Sequence, residues 1–160
     1  MANVFDGAQI VDLAVRVEKN GAAFYDVASK VATSVEAKRV FDYLISEEKR
    51  HLALFHDMLR GLQLARPKEQ YEGEWDAYLV AAAAEHVFSS DASAKSVIGR
   101  VSNQQDAIQL AIGFEKDSII LFHEIAELVS GKDKEVVEKL MNEEKDHLRR
   151  LSELRKILAA

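Results

Sequence analysis

The 160 residues, 48% hydrophobic and 30% charged with a net charge of −6, suffice for one domain with a buried core. They carry no basic stripe of the kind that phosphate binding needs, which argues against a nucleic-acid surface. Zero cysteines exclude disulfides, thiolate catalysis and Cys-ligated clusters. With one Pro and seven Gly, the balance favours an all-helical globule. The first residues lack a charged, apolar leader, and the longest apolar stretch, Ala77 to Ala84, is too short to span a bilayer. The expectation is a soluble cytoplasmic protein, here taken as a single domain over residues 1–160.

Residues 6 to 33 carry apolar side chains at helical spacing: Ile10, Ala14, Val17, Gly21, Phe24, Ala28 and Val31. Glu18 falls inside that stripe. Asn20-Gly21 is a hairpin-turn dipeptide, but neither flank alternates with period two, so it reads as helical. Thr33 followed by Glu36 has the form of a capping box and predicts a second helix over 34–60. Its stripe of Phe41, Leu44, Leu52 and Phe55 is interrupted by Glu48 and His51. Gly61 and Pro67 supply the stop.

The next forty residues are a connector. Gln63 to Glu74 reads as a loop, 74–88 as a short helix, and a further helical turn is expected near Ala92 to Val97. Ser102 with Gln105 repeats the capping-box pattern and opens a helix over 103–129, closed by Gly131. A last helix is expected over 133–158. A long crossover of this kind carries the chain back along the bundle, the connectivity of ferritin-like four-helix bundles. The expected architecture is two antiparallel helical hairpins joined by that crossover.

Two short words organise the chain: Glu48-Lys49-Arg50-His51 and Glu144-Lys145-Asp146-His147. In each, Glu and His stand three apart and leave one helix face a turn apart. Each word has a lone Glu upstream, Glu18 and Glu115. With turns near 33 and 131, Glu18 and Glu48 are each 15 residues from the first turn, while Glu115 and Glu144 are 16 and 13 from the second. Packed together, the hairpins converge all six groups on the midplane. With 16 Glu and 5 His, about 0.5 Glu-x-x-His words arise by chance, so the weight lies in the matched pair. The hairpins are also alike in detail: Leu44 to Leu52 parallels Leu140 to Leu148, and Ala14 to Lys19 parallels Ala111 to Lys116. Such a repeat implies approximate twofold symmetry about the site.

Four carboxylates in a dry bundle need protons, partner cations or metal. No Lys or Arg lies on these stripes. Two divalent ions balance the four negative charges, and oxygen-rich ligation with one His per ion suits iron or manganese, with zinc able to occupy the site in a purified sample.

On Glu18, Glu48-x-x-His51, Glu115 and Glu144-x-x-His147, the chain resembles the rubrerythrin family of ferritin-like di-iron proteins, in particular members lacking a rubredoxin domain. The resemblance implies two iron ions, with Glu18 and Glu115 as terminal ligands, Glu48 and Glu144 bridging, and His51 and His147 each capping one ion. It implies reduction of hydrogen peroxide or dioxygen with electrons from a rubredoxin-type or other external donor, and a homodimer. The alternative is a ferroxidase or iron-binding protein of ferritin or bacterioferritin type. Where typical rubrerythrins carry an extra Glu one turn after the third-helix ligand, this chain has Ser118.

Tyr25, two turns after Glu18, is either a partner for a ligand carboxylate, as its rubrerythrin counterpart implies, or a plain core aromatic. His123 and Glu85-His86 can approach the site, although a satisfied or surface histidine is the commoner outcome. His56 reads as structural or exposed, and Glu47 and Glu143 as solvated.

Overall fold

Apolar residues three and four apart close the long helices on one another, and the ends of those helices set the geometry of everything between them. The computed structural model describes residues 7–61, 77, 78, 81, 86, 88 and 90–160. Among them five helices have defined bounds: α1 (Gly7–Val31), α2 (Val35–Gly61), α3 (Asp91–Ile98), α4 (Gln104–Leu128) and α5 (Gly131–Ala159). None of these is long and apolar enough to cross a membrane. The helix expected over 74–88 lies mostly outside the described residues; Ala77, Tyr78 and Ala81 are helical, His86 and Phe88 are not. The turn expected near 92–97 is α3, opened by a reciprocal capping box between Ser90 and Ser93.

The sequence misplaces two caps by one residue. Ser34, not Thr33, accepts from the Ala37 amide at 3.0 Å and starts α2. Asn103, not Ser102, caps α4 through the Asp106 amide at 2.9 Å. Gly131 does not close the third long helix; it is the first residue of α5, which therefore starts two residues earlier than expected. Its φ of 56° is left-handed backbone, which an L side chain adopts only under strain.

α1 packs along α2 and α4 along α5; the halves meet through α1 against α4 and α2 against α5, with α3 lying on α1. The Gln104 side chain shows how the crossover returns. Its Oε1 accepts from both the Thr33 and Ser34 amides at 3.0 Å, so α4 begins beside the α1–α2 turn and runs parallel to α2. Every ligand-type Glu then stands thirteen residues from its hairpin turn: Glu18 before Val31, Glu48 after Val35, Glu115 before Leu128 and Glu144 after Gly131. The offset expected in the second hairpin disappears because its turn spans only Val129 and Ser130. All four carboxylates share a level about 20 Å from those turns.

Below them lies an aromatic core of fully buried Phe24, Tyr25, Phe41, Phe88 and Phe114. Phe88 comes from the crossover; its ring is 4.8 Å from that of Phe114 and its carbonyl accepts from buried Asn20 Nδ2 at 3.1 Å. That bond ties the crossover to α1 midway along the bundle.

Candidate metal centre

Glu18, Glu48, His51, Glu115, Glu144 and His147 are all fully buried. The structure brings the six together in two overlapping groups whose candidate donor atoms lie within 4.8 Å of one another: Glu18, Glu48, His51 and Glu144, and Glu48, Glu115, Glu144 and His147. Glu48 and Glu144 belong to both. His51 Nδ1 is 2.7 Å from Glu144 Oε1 and 3.5 Å from Glu18 Oε2. His147 Nδ1 is 3.3 Å from Glu144 Oε2, 3.6 Å from Glu115 Oε2 and 3.9 Å from Glu48 Oε1.

These are close approaches without hydrogen-bond geometry. Both oxygens of Glu18, Glu48 and Glu144, the second oxygen of Glu115 and Nδ1 of each histidine have no hydrogen-bond partner among the described residues. Buried polar atoms are nearly always paired, so a concentration of unpaired acceptors at one point fits a cation. Glu-rich oxygen donors with one imidazole in each group suit two divalent ions of the iron or manganese kind, and the residues present fit a di-iron group.

The electrostatics agree. Burial pushes the Glu18 carboxyl well above its ordinary range. Burial, then Glu18 and Glu144, does the same to Glu48, and burial with Glu144 raises Glu115 to about 8. Burial also disfavours charge on Glu144, yet contacts with Glu115, His147 and His51 hold it below the usual carboxylate range. Against burial, which favours the neutral imidazole, Glu144 raises His51 to about 9, and Glu115 and Glu144 raise His147 to about 10. Without metal, protons crowd the site; bound cations displace them.

Around this core the two halves differ. Tyr25 Oη donates to Glu115 Oε1, so Tyr25 partners a candidate ligand of the opposite hairpin. The hydroxyl occupies one oxygen and leaves Oε2 facing His147, whereas both oxygens of Glu18 stay free. Burial, with the Glu115 charge beside it, pushes the Tyr25 phenol well up, so it stays a donor. Gly21 supplies room: a Cβ there would meet Phe114 Cζ at 2.5 Å and Glu48 Oε2 at 3.2 Å. Ser118, a turn beyond Glu115, is fully buried, and its hydroxyl has no partner among the described residues.

Sequence reasoning missed an outer layer. Glu47 and Glu143 are not solvated; their side chains are 19% and 25% exposed. Each reaches the outer nitrogen of a histidine on the opposite hairpin: Glu143 Oε2 is 3.1 Å from His51 Nε2 and Glu47 Oε2 is 3.8 Å from His147 Nε2. Arg50 joins them, with Nη2 2.9 Å from Glu47 Oε2 and 2.5 Å from Glu143 Oε2. The signal available was the Glu–Arg pair three apart in Glu47-Glu48-Lys49-Arg50; its partner across the bundle was not. By accepting from Nε2, Glu143 leaves His51 Nδ1 as the nitrogen turned to the centre.

The remaining candidates stand apart. His123 and His56 are exposed, and Glu85 lies outside the described residues. His86 is buried but belongs to neither group; its Nδ1 accepts from the Phe88 amide at 3.2 Å, its ring meets Phe114 edge-on, and burial lowers it to about 4.

A family model described as Rubrerythrin matches residues 9–155. A crystal structure from Thermotoga maritima, described as a ferritin-like diiron-carboxylate protein, superposes with a TM-score of 0.69 at 26% identity, covering 98% of each chain. No curated protein matches. The helical bundle and the ferritin-like architecture expected from the crossover are thus both present.

Proposed function

The chain belongs to the rubrerythrin family, and on that premise we propose that it is a non-haem di-iron oxidoreductase that reduces hydrogen peroxide, or dioxygen, with electrons from an external donor. The observation that carries the reading is the pair of four-residue groups sharing Glu48 and Glu144. Glu18 and His51 would hold one ion, Glu115 and His147 the other, and Glu48 and Glu144 both. Two ferrous ions would supply the two electrons that, with two protons, turn peroxide into two waters.

The chain's own residues do the rest. Complete burial of the six side chains keeps bulk water from the reacting atoms. Tyr25 fixes Glu115 through Oε1, while Glu18, free at both oxygens, can change its grip as charge at the centre changes. Glu143 holds the proton of His51 at Nε2. The sequence contains no cysteine to hold a thiolate-ligated electron relay, so a separate rubredoxin-type or other donor would re-reduce the centre. We take the working form to be a cytoplasmic homodimer, which mass in solution tests.

The deciding experiment is anaerobic loading with ferrous iron, then rapid mixing with hydrogen peroxide and separately with dioxygen, following oxidation by absorbance. Faster oxidation by peroxide supports the peroxidase. Faster oxidation by dioxygen moves the assignment to a ferroxidase, and failure to bind two irons per chain removes the di-iron reading.

A further inference from the structure

The buried centre raises the question of how a cation reaches it, and the outer layer contains an answer. An open groove on the outer face of α5 is lined by Glu135, Glu138, Lys139, Asn142, Glu143 and Asp146. Four of these six are acidic; Asp146 is held by Arg149 and Arg150 and Glu143 by Arg50, which leaves Glu135 and Glu138 to draw a divalent cation toward Glu143. Glu143 belongs both to the groove and to the centre, because the oxygen that touches Arg50 also touches His51 Nε2.

A second observation points inward. Glu47, His51 and His147 form a third group of candidate donors within 4.8 Å of one another, directly outside the two inner groups. His147 Nε2 is buried, has no hydrogen-bond partner among the described residues and lies 3.8 Å from Glu47. The two imidazoles are nearly parallel, with ring centroids 5.6 Å apart.

Arg50 spans Glu47 and Glu143, with Nη2 3.3 Å from His51 Nε2, and at 38% exposure it can swing into solvent. The His147 side is covered differently, by the Tyr43 ring edge-on at 5.9 Å with Arg150 over that ring. In the repeat, Arg50 corresponds to Asp146, which is held by Arg149 and Arg150. The α5 position equivalent to Arg50 therefore carries an acid instead of a cation.

We infer that Arg50 is the gate to the centre: divalent cations collect in the α5 groove, Glu143 and Glu47 take them up, and the guanidinium must leave both carboxylates to let them pass to the imidazoles. This rests on the two-metal reading of the centre. Arg50 occupies the place of the incoming cation, so gate and cation compete for the same two carboxylates.

A gate and a simple repulsive charge predict different kinetics. Removing a gate speeds passage in both directions; removing a positive charge speeds association and slows dissociation. The test uses cobalt(II), followed by its absorption, with the full chain freed of metal. Association is measured by stopped flow and dissociation by chase into excess chelator, for the wild type, Arg50→Gln, and Arg60→Gln as an exposed charge control. Arg50→Gln is expected to raise both rates about tenfold while still binding two ions per chain, with Arg60→Gln near wild type. Arg50→Lys, which keeps the charge but loses the two-pronged grip, is expected to raise both rates to a lesser degree. Two ions bound with faster association but slower dissociation in Arg50→Gln, or with rates matching those of Arg60→Gln, overturn the gate and leave the centre standing. Failure of the wild type to bind two ions overturns both.

Discussion

The α1–α2 and α4–α5 hairpins carry the same inner residues at the same heights and different ones around them. Glu18 matches Glu115, Glu48 matches Glu144 and His51 matches His147. One step outward the match is partial: Glu47 still matches Glu143, but Tyr25 corresponds to Phe122, Gly21 to Ser118 and Arg50 to Asp146. A shared centre constrains what points into it from both sides, while each surrounding position answers to its own neighbours. Even the equivalent Glu48 and Glu144 differ. Both histidines lie within 3.3 Å of Glu144, but only His147 comes within 3.9 Å of Glu48; Glu144 is accordingly held below the ordinary carboxylate range, while burial and the neighbouring Glu18 push Glu48 well above it.

The largest effect should come from the shared carboxylates. Glu48→Ala or Glu144→Ala is expected to abolish binding of both ions, whereas Glu18→Ala or Glu115→Ala removes one. Metal content after loading and desalting checks this, and equal content in all four variants would remove the assignment.

Next comes pH. Without metal, Glu18, Glu48 and Glu115 have raised carboxyls and His51 and His147 raised imidazoles. All five contribute stability that is complete below their unfolded values and is lost as pH rises through the folded ones. The metal-free protein should therefore lose stability between about pH 5 and 10, with Glu115 at about 8, His51 at about 9 and His147 at about 10 marking the upper part of the window. Glu144 has the opposite sign and matters only as pH falls below the ordinary carboxylate range. Zinc, binding the deprotonated ligands, should flatten the curve. Thermal unfolding with chelator and with zinc across this range reads both effects, and a flat metal-free curve would mean that the buried acids are not the strain they are taken to be.

A smaller contrast separates Gly21 from Ser118. Gly21→Ala must displace Phe114 or Glu48 and is expected to cost roughly 1 to 3 kcal/mol. Ser118→Ala deletes an unpartnered buried hydroxyl and should be neutral or slightly stabilising. Denaturant midpoints compare them directly; equal losses would contradict the packing described at Gly21.

Smallest is Tyr25→Phe, which makes the halves alike at that position. Losing the bond to Glu115 should cost about 1 kcal/mol and bring the two metal affinities closer together. A titration whose two steps stay as far apart as in the wild type would assign the asymmetry elsewhere.

The six inner residues were legible in the sequence because Glu and His at one-turn spacing break otherwise apolar stripes, and a solvated face does not do that. The bundle was legible from the same stripes. The caps were not: Thr33-Ser34 and Ser102-Asn103 each offer two adjacent capping side chains, and the choice depends on where the turn lies against Gln104, a contact across 70 residues or more. Glu47 and Glu143 were misread for a similar reason. A residue next to a ligand points about 100° round its own helix, which looks like solvent until the other hairpin closes over it.

Gln104 has one more consequence. Apolar stripes hold two hairpins together without direction, and by themselves they permit sliding along the common axis. A slip of one turn, about 5.4 Å, would keep much of that burial and pull Glu48 away from Glu144. One amide oxygen gripping two successive backbone N–H groups forbids the slip. It acts as a vernier stop at the far end of the bundle, holding two carboxylates in alignment about 20 Å away.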